Sequence, residues 1–196
     1  IGFLAEDRKT SSLMLHRPIY ENVSVVDLIK RSGAFLRLQK ERKAVQDISD
    51  KLNIVAPSIN QLGVYHYHGY VVEKDLEKAF EYYKTSAELG YSRAQSNLGN
   101  MYLNGYGVEK DEKTAVMWCE MSAAQNDKIG QWRLARCYEN GTGVEKDYIK
   151  AFDWYLKSAL QEYEKSQFRV GYFYYYGLGA EKDYFEAFTW FTRAVH

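Results

Sequence analysis

Apolar and small residues return along this chain at one fixed interval. Leu62, Leu98, Leu134 and Val170 stand 36 residues apart, as do His66, Tyr102, Tyr138 and Tyr174. A polar stretch follows each of these segments, opening on Gly69, Gly105, Gly141 and Gly177 and carrying Glu-Lys-Asp at 73–75, 109–111, 145–147 and 181–183. A second apolar segment then begins, marked by Ala79, Ala115, Ala151 and Ala187 and by Tyr82, Trp118, Trp154 and Trp190. A fixed period of roughly 20–50 residues is the signature of stacked repeat units.

Each part of the period has a physical reading. Glycine after a periodic apolar segment predicts a helix end, because it tolerates positive φ. The aspartate three positions into Glu-Lys-Asp predicts an N-cap, since its carboxylate accepts from free N–H groups and suits the positive helix end. Each unit is therefore expected to be helix, glycine-rich loop, helix. Gly99 and Ala115 allow the two helices to approach closely, while Tyr102 and Trp118 fill the groove between them. The expected units are 58–93, 94–129, 130–165 and 166–196. No such unit buries its apolar face alone, so neighbours must stack. On this reading the recurring "GYGVEKDEKTA" and "GTGVEKDYIKA" are structural, with Glu and Lys solvated and Asp capping.

Residues 1–57 stand outside the period, because stepping back from Ala79 and Tyr82 meets Lys43 and Gln46. They still read as helical. Ser24-Val-Val-Asp27 is a capping-box pattern before a short helix that Gly33 can end, and Phe35, Leu38, Val45, Ile48 and Leu52 share a helical face. Pro57 and Ser58 mark entry to the first repeat helix. The segment is expected to be an N-terminal helical cap, which a stack of repeats needs. At the other end no polar capping helix precedes His196, so either the natural chain continues or that end is a binding or dimer surface.

Composition narrows the partners. Lys and Arg number 26 and Asp and Glu 26, so the balance gives no electrostatic reason to expect nucleic acid or an anionic membrane. No run approaches the roughly 18 apolar residues of a membrane-spanning helix, and the chain reads as soluble. The first residue is Ile rather than Met, and "IGFLAEDRK" lacks the order of a secretory signal. That favours the cytoplasm, with the natural N-terminus out of view. Cys119 and Cys137 are too few for a disulfide scaffold and read as two small buried hydrophobes.

Catalytic and metal signatures are missing from the sequence. His66 and His68 are two apart, pointing about 200° from one another on a helix, so they cannot share an ion. There is no phosphate loop, no H-E-x-x-H, no C-x-x-C and no nucleophile elbow. The glycine-rich loops follow helices rather than strands, which removes a nucleotide-loop reading. No catalytic residue, cofactor or metal is expected.

The repeats resemble the Sel1-like repeat family, a relative of the tetratricopeptide repeat class. The resemblance rests on L-G-x-x-Y, G-x-G-V-x-x-D and K-A-x-x-W-Y, written here as "LGNMYLNGYGVEKDEKTAVMWC" from Leu98 and "LARCYENGTGVEKDYIKAFDWY" from Leu134. Val71 departs from it at the second loop glycine of the first unit, Ala180 at the loop valine of the fourth, and Cys119 at a customary tyrosine. The resemblance implies an all-α, right-handed α-solenoid of four helix–loop–helix repeats that acts as a non-catalytic scaffold or adaptor for another protein or peptide. It also implies the settings in which such proteins occur: bacterial regulatory or toxin-immunity systems, or a larger eukaryotic quality-control adaptor of which this chain is a fragment. A cysteine-rich branch is proposed to act on cell-wall peptides, and it carries cysteine pairs eight positions apart, a spacing Cys119 and Cys137 lack.

By the same analogy the first helix of each unit lines the concave face. The side of that helix opposite its core columns holds Gln61, Val64 and His68; Asn97, Asn100 and Asn104; Arg133, Arg136 and Asn140; and Arg169, Tyr172 and Tyr176. Amides, guanidiniums and phenols suit a peptide backbone or carboxylates. The nine residues from Asn97 to Tyr176 are the expected partner-binding stripe. In "YFYYY", Tyr174 is placed inside by its column, leaving Tyr172 and Tyr176 for exposure.

Overall fold

The computed structural model describes residues 55–70 and 72–195. The capping pattern at 24–27 and the helical face from Phe35 to Leu52 lie outside the described residues, as does Val71. Eight helices account for nearly all of what is described: α1 (55–68), α2 (Leu76–Glu88), α3 (Ser92–Asn104), α4 (Glu112–Ala124), α5 (Lys128–Asn140), α6 (Tyr148–Ala159), α7 (Glu164–Tyr176) and α8 (Tyr184–Arg193). No strand occurs among the described residues. From α2 onward each helix packs on the next in the chain, and α3 also touches α5. The fold is an all-α solenoid.

The polar turns build the helix ends as their chemistry demands. Asp75, Asp111, Asp147 and Asp183 are the N-caps of α2, α4, α6 and α8, each accepting from N–H groups of the first turn. The Asp111 carboxyl is held below the ordinary carboxylate range by hydrogen bonds from the Thr114 hydroxyl and backbone N–H. The backbone N–H of each capping aspartate donates to the carbonyl of His66, Tyr102, Tyr138 or Tyr174, which closes the loop onto the preceding helix.

Two glycine columns do different jobs. Gly141 ends α5 in the left-handed region, at φ 72°, and its N–H donates to Cys137 O. Gly143 combines a φ of 70° with close approach, since a Cβ there would lie 2.3 Å from the carbonyl oxygen of Glu112 in the preceding unit. The equivalent contacts are Gly107 on Leu76 O and Gly179 on Tyr148 O. Each loop thus rests on the start of the previous unit's second helix. That constraint needs a preceding repeat, and the first unit is the one whose sequence carries valine in this column.

Within a unit the helices meet through a small residue. A Cβ on Gly99 would lie 2.8 Å from the Cys119 Sγ and 3.0 Å from Ala115 O. Gly63 meets the Tyr83 ring and Gly171 the Phe191 ring in the same way. Core clusters bridge adjacent units: Ala79, Phe80 and Tyr83 pack with Leu98, Met101 and Trp118, and Phe152 and Tyr155 with Val170, Phe173 and Trp190.

Burial departs from expectation at two places. Leu62 is 43 % exposed where Leu98, Leu134 and Val170 are buried, because those three pack on the second helix of a preceding repeat. In "YFYYY" the fully buried ring is Phe173; Tyr174 is half-buried, Tyr172 is also half-buried and Tyr176 is exposed. Phe173 shares its position in the repeat with Met101 and Cys137, a column whose varied chemistry hides it from pattern matching.

Polar stitches join the two helices of each unit at an offset of 30 residues. The hydroxyls of Ser86, Ser122 and Ser158 donate to the carbonyls of Ala56, Ser92 and Lys128 at 2.6–2.8 Å. Gln125 donates to Gln95 Oε1, and Gln161 to Gln131 Oε1, with Gln95 and Gln131 buried. A buried hydroxyl or amide left without its partner costs about 1–3 kcal/mol, so these side chains fix the second helix of each unit against the start of its first.

Candidate functional site

One pair of first helices is in direct contact. α3 touches α5, while among the described residues no comparable contact joins α2, α4, α6 and α8 to one another. In a curved stack the closer-spaced elements lie on the inner side. The expected stripe lies on the first helices, but its nine residues are not alike.

Three of them bond backward to the preceding first helix. Asn97 Nδ2 donates to Asn60 Oδ1 at 3.1 Å. Arg133 donates through Nε to Ser96 Oγ at 3.1 Å and through Nη1 to Asn100 Oδ1. Arg169 pairs with Glu139, which also accepts from the Tyr155 hydroxyl at 2.6 Å. Asn100 is half-buried and Asn104 exposed, the latter donating to the Asn100 carbonyl and side chain. Arg136 and Asn140 are exposed.

Five stripe residues gather around one hollow. A cavity of about 250 Å³ lies between α3 and α5, lined by Asn100, Asn104, Arg133, Arg136 and Asn140 together with Leu103, Lys110, Glu112, Cys137 and Thr142. Lys110 and Glu112 neutralise each other at 2.7 Å. Arg133 and Arg136 have no ion-pair partner among the described residues. Burial and the neighbouring charge of Arg136 pull Arg133 below the ordinary guanidinium range. Arg136 lies over the Trp132 ring, 4.9 Å from its centroid.

One unit further on, the stripe turns aromatic. The rings of Tyr172 and Tyr176 are 4.5 Å apart, with the Arg169 guanidinium 4.5 Å from the Tyr172 centroid. Tyr175 joins them at 4.9 Å from Tyr176 and reaches Tyr184 at 5.3 Å. A second apolar surface lies on α8, where Phe185 and Phe188 are 78 % and 70 % exposed.

The two histidines face different partners. His66 stacks on Tyr82 at 5.4 Å and His68 on Tyr70 at 4.9 Å. Cys119 and Cys137 are free and buried, and a hydrogen bond with Cys137, together with burial, holds the Cys119 thiol well above its ordinary range. Sequence reasoning missed Ser96 and Glu139. The signal for Glu139 is a single acid in a column otherwise held by Tyr67, Leu103 and Tyr175.

Comparison with known proteins places these observations. The Sel1 repeat model matches residues 56–91, 92–127, 128–163 and 164–195. A Sel1 repeat protein from Oxalobacter formigenes is 34% identical in its crystal structure, with a TM-score of 0.67 over 71% of this chain and 57% of that one. A protective antigen of uropathogenic Escherichia coli strains displaying an SLR fold is 28% identical, with a TM-score of 0.52 over 71% of this chain and 38% of that one. A local match of 64 residues at 34% identity covers 32% of this chain and only 13% of the curated Ribose import ATP-binding protein RbsA of Clostridium tetani. The chain therefore spans little more than half the length of these relatives at most.

Proposed function

Because the chain belongs to the Sel1 repeat family, whose members bind other proteins, we propose that it is a non-catalytic scaffold holding a partner protein or peptide along the inner face of its first helices. The observation that carries this reading is that the Asn100–Arg133–Arg136 cavity and the Tyr172–Tyr176 pair stand on the first helices of successive units. Guanidiniums and tyrosines are favoured at binding hot spots, where flat rings and forked donors bury area with little loss of side-chain freedom. Amides and guanidiniums also keep one protonation state near neutral pH, which suits recognition rather than acid–base chemistry.

The finer roles differ in stoichiometry. A regulatory or toxin-immunity protein holds one partner tightly at one-to-one; a general adaptor holds several weakly. Capture from cell extract with wild type and an Asn140→Ala/Tyr176→Ala variant tests the surface, both residues being exposed so that melting temperature stays matched. The expected result is that the variant loses the captured protein. Equal retention of the same protein would move the binding surface elsewhere, the exposed face of α8 being the next to test.

A further inference from the structure

We infer that the cavity between α3 and α5 is a carboxylate seat, filled by an Asp or Glu side chain of an acidic peptide segment in the partner protein. This rests on the inner-face reading above and adds the chemistry of its anchor. The repeat supplies its own template. Arg169 occupies in the fourth unit the position that Arg133 occupies in the third, and Arg169 has a carboxylate partner, Glu139, from the preceding first helix. The residue equivalent to Glu139 one unit earlier is Leu103, and Leu103 lines the cavity in front of Arg133. The hollow therefore lies where the internal acid is missing.

What remains around it is complementary to an anion. Arg133 is half-buried and donates to neutral oxygens of Ser96 and Asn100, so its charge is left uncompensated. Arg136, one turn on, adds a second guanidinium, while Lys110 and Glu112 cancel. Charges removed from water are ordinarily paired, and a pair of like charges beside one another raises the need for a counter-charge. Two guanidiniums with the amides of Asn100, Asn104 and Asn140 supply the forked donors a carboxylate accepts from. A chain held there would continue over Tyr172 and Tyr176 in the next unit.

The test is selection of a random-peptide phage library on the full chain, followed by titration of the selected peptides. The expected peptides carry an Asp or Glu at a fixed position, and changing it to Asn or Gln weakens binding about tenfold or more. Arg136→Gln weakens binding similarly, and the two changes together cost little more than either alone, because they remove the same contact. Leu103→Glu places in the third unit the acid that the fourth already has, fills the seat from within and abolishes peptide binding while the chain stays folded. Arg133→Gln is the less direct variant, since Arg133 also joins α5 to α3.

Peptides without an acidic position that lose affinity on Asn140→Ala/Tyr176→Ala would overturn the carboxylate seat and leave the inner-face reading standing. Acidic peptides indifferent to both Arg136→Gln and Leu103→Glu would do the same. Peptides that bind the Asn140→Ala/Tyr176→Ala variant as well as wild type would overturn both. Failure to enrich any peptide would also count against the seat.

Discussion

Gly143→Ala is expected to lower stability by about 3 kcal/mol or more, a loss of roughly 10 °C in melting temperature for a chain of this size. Two costs act together. The residue sits at φ 70°, where a Cβ is strained, and that Cβ would lie 2.3 Å from Glu112 O and 2.6 Å from Glu112 C. Both are backbone atoms of the preceding unit, so no side-chain rotation relieves the collision and the loop must lift off α4. Gly141→Ala is the control: its φ is 72°, but the nearest atoms to its Cβ are in Lys146, from 3.3 Å outward. It is expected to lose only about 1 kcal/mol, the left-handed penalty alone. Urea unfolding of the two variants side by side measures the difference, and equal losses would mean that the loop does not bear on the preceding unit.

Tyr155→Ala is expected to cost about 3–5 kcal/mol, the range for deleting a buried aromatic ring. Tyr155 is fully buried on α6, its ring 5.5 Å from Phe173 in the next unit and its hydroxyl on Glu139. Burial holds the phenol well above its ordinary pKa, so it stays a neutral donor. Truncation opens a cavity shared by two units and takes a donor from a carboxylate that is 15% exposed. Tyr155→Phe separates the terms: it keeps the ring and Glu139 keeps Arg169, so about 1–2 kcal/mol is expected. A loss in Tyr155→Phe as large as in Tyr155→Ala would place the stability in the hydrogen bond rather than the packing.

The architecture was legible because the same turn recurs. Glycine at the end of the first helix and aspartate at the start of the second carry their conformational reasons in their identities, and all four aspartates cap. What locks the two helices of a unit together was much harder to see. Ser86, Ser122 and Ser158 look like solvated polar positions until their acceptors, carbonyls 30 residues earlier, are known. The buried glutamines Gln95 and Gln131 are hidden for the same reason. The turn between units passes through positive φ at Gly90, Asn126 and Glu162, a conformation that the glycine and asparagine favour and the glutamate does not announce.

The stripe was legible as a helical face but not as a set of partners. Helical spacing puts Asn97, Arg133 and Arg169 beside Arg136, Asn140 and Tyr176, yet the first three reach back to the preceding helix and the latter three face solvent. Side-chain length and the identity of the neighbour decide that division. Neither is visible in a periodicity.

The measurement that tests the inner-face scaffold most directly is site-specific photo-crosslinking in cells. A photoreactive amino acid is placed at Asn140 on a first helix, and separately at Met117 and Asp153, exposed positions on the second helices. The account predicts a discrete heavier adduct from position 140 that disappears on Arg136→Gln, and no such adduct from 117 or 153. Adducts formed from 117 or 153 with none from 140 would contradict it and place the partner on the outer helices.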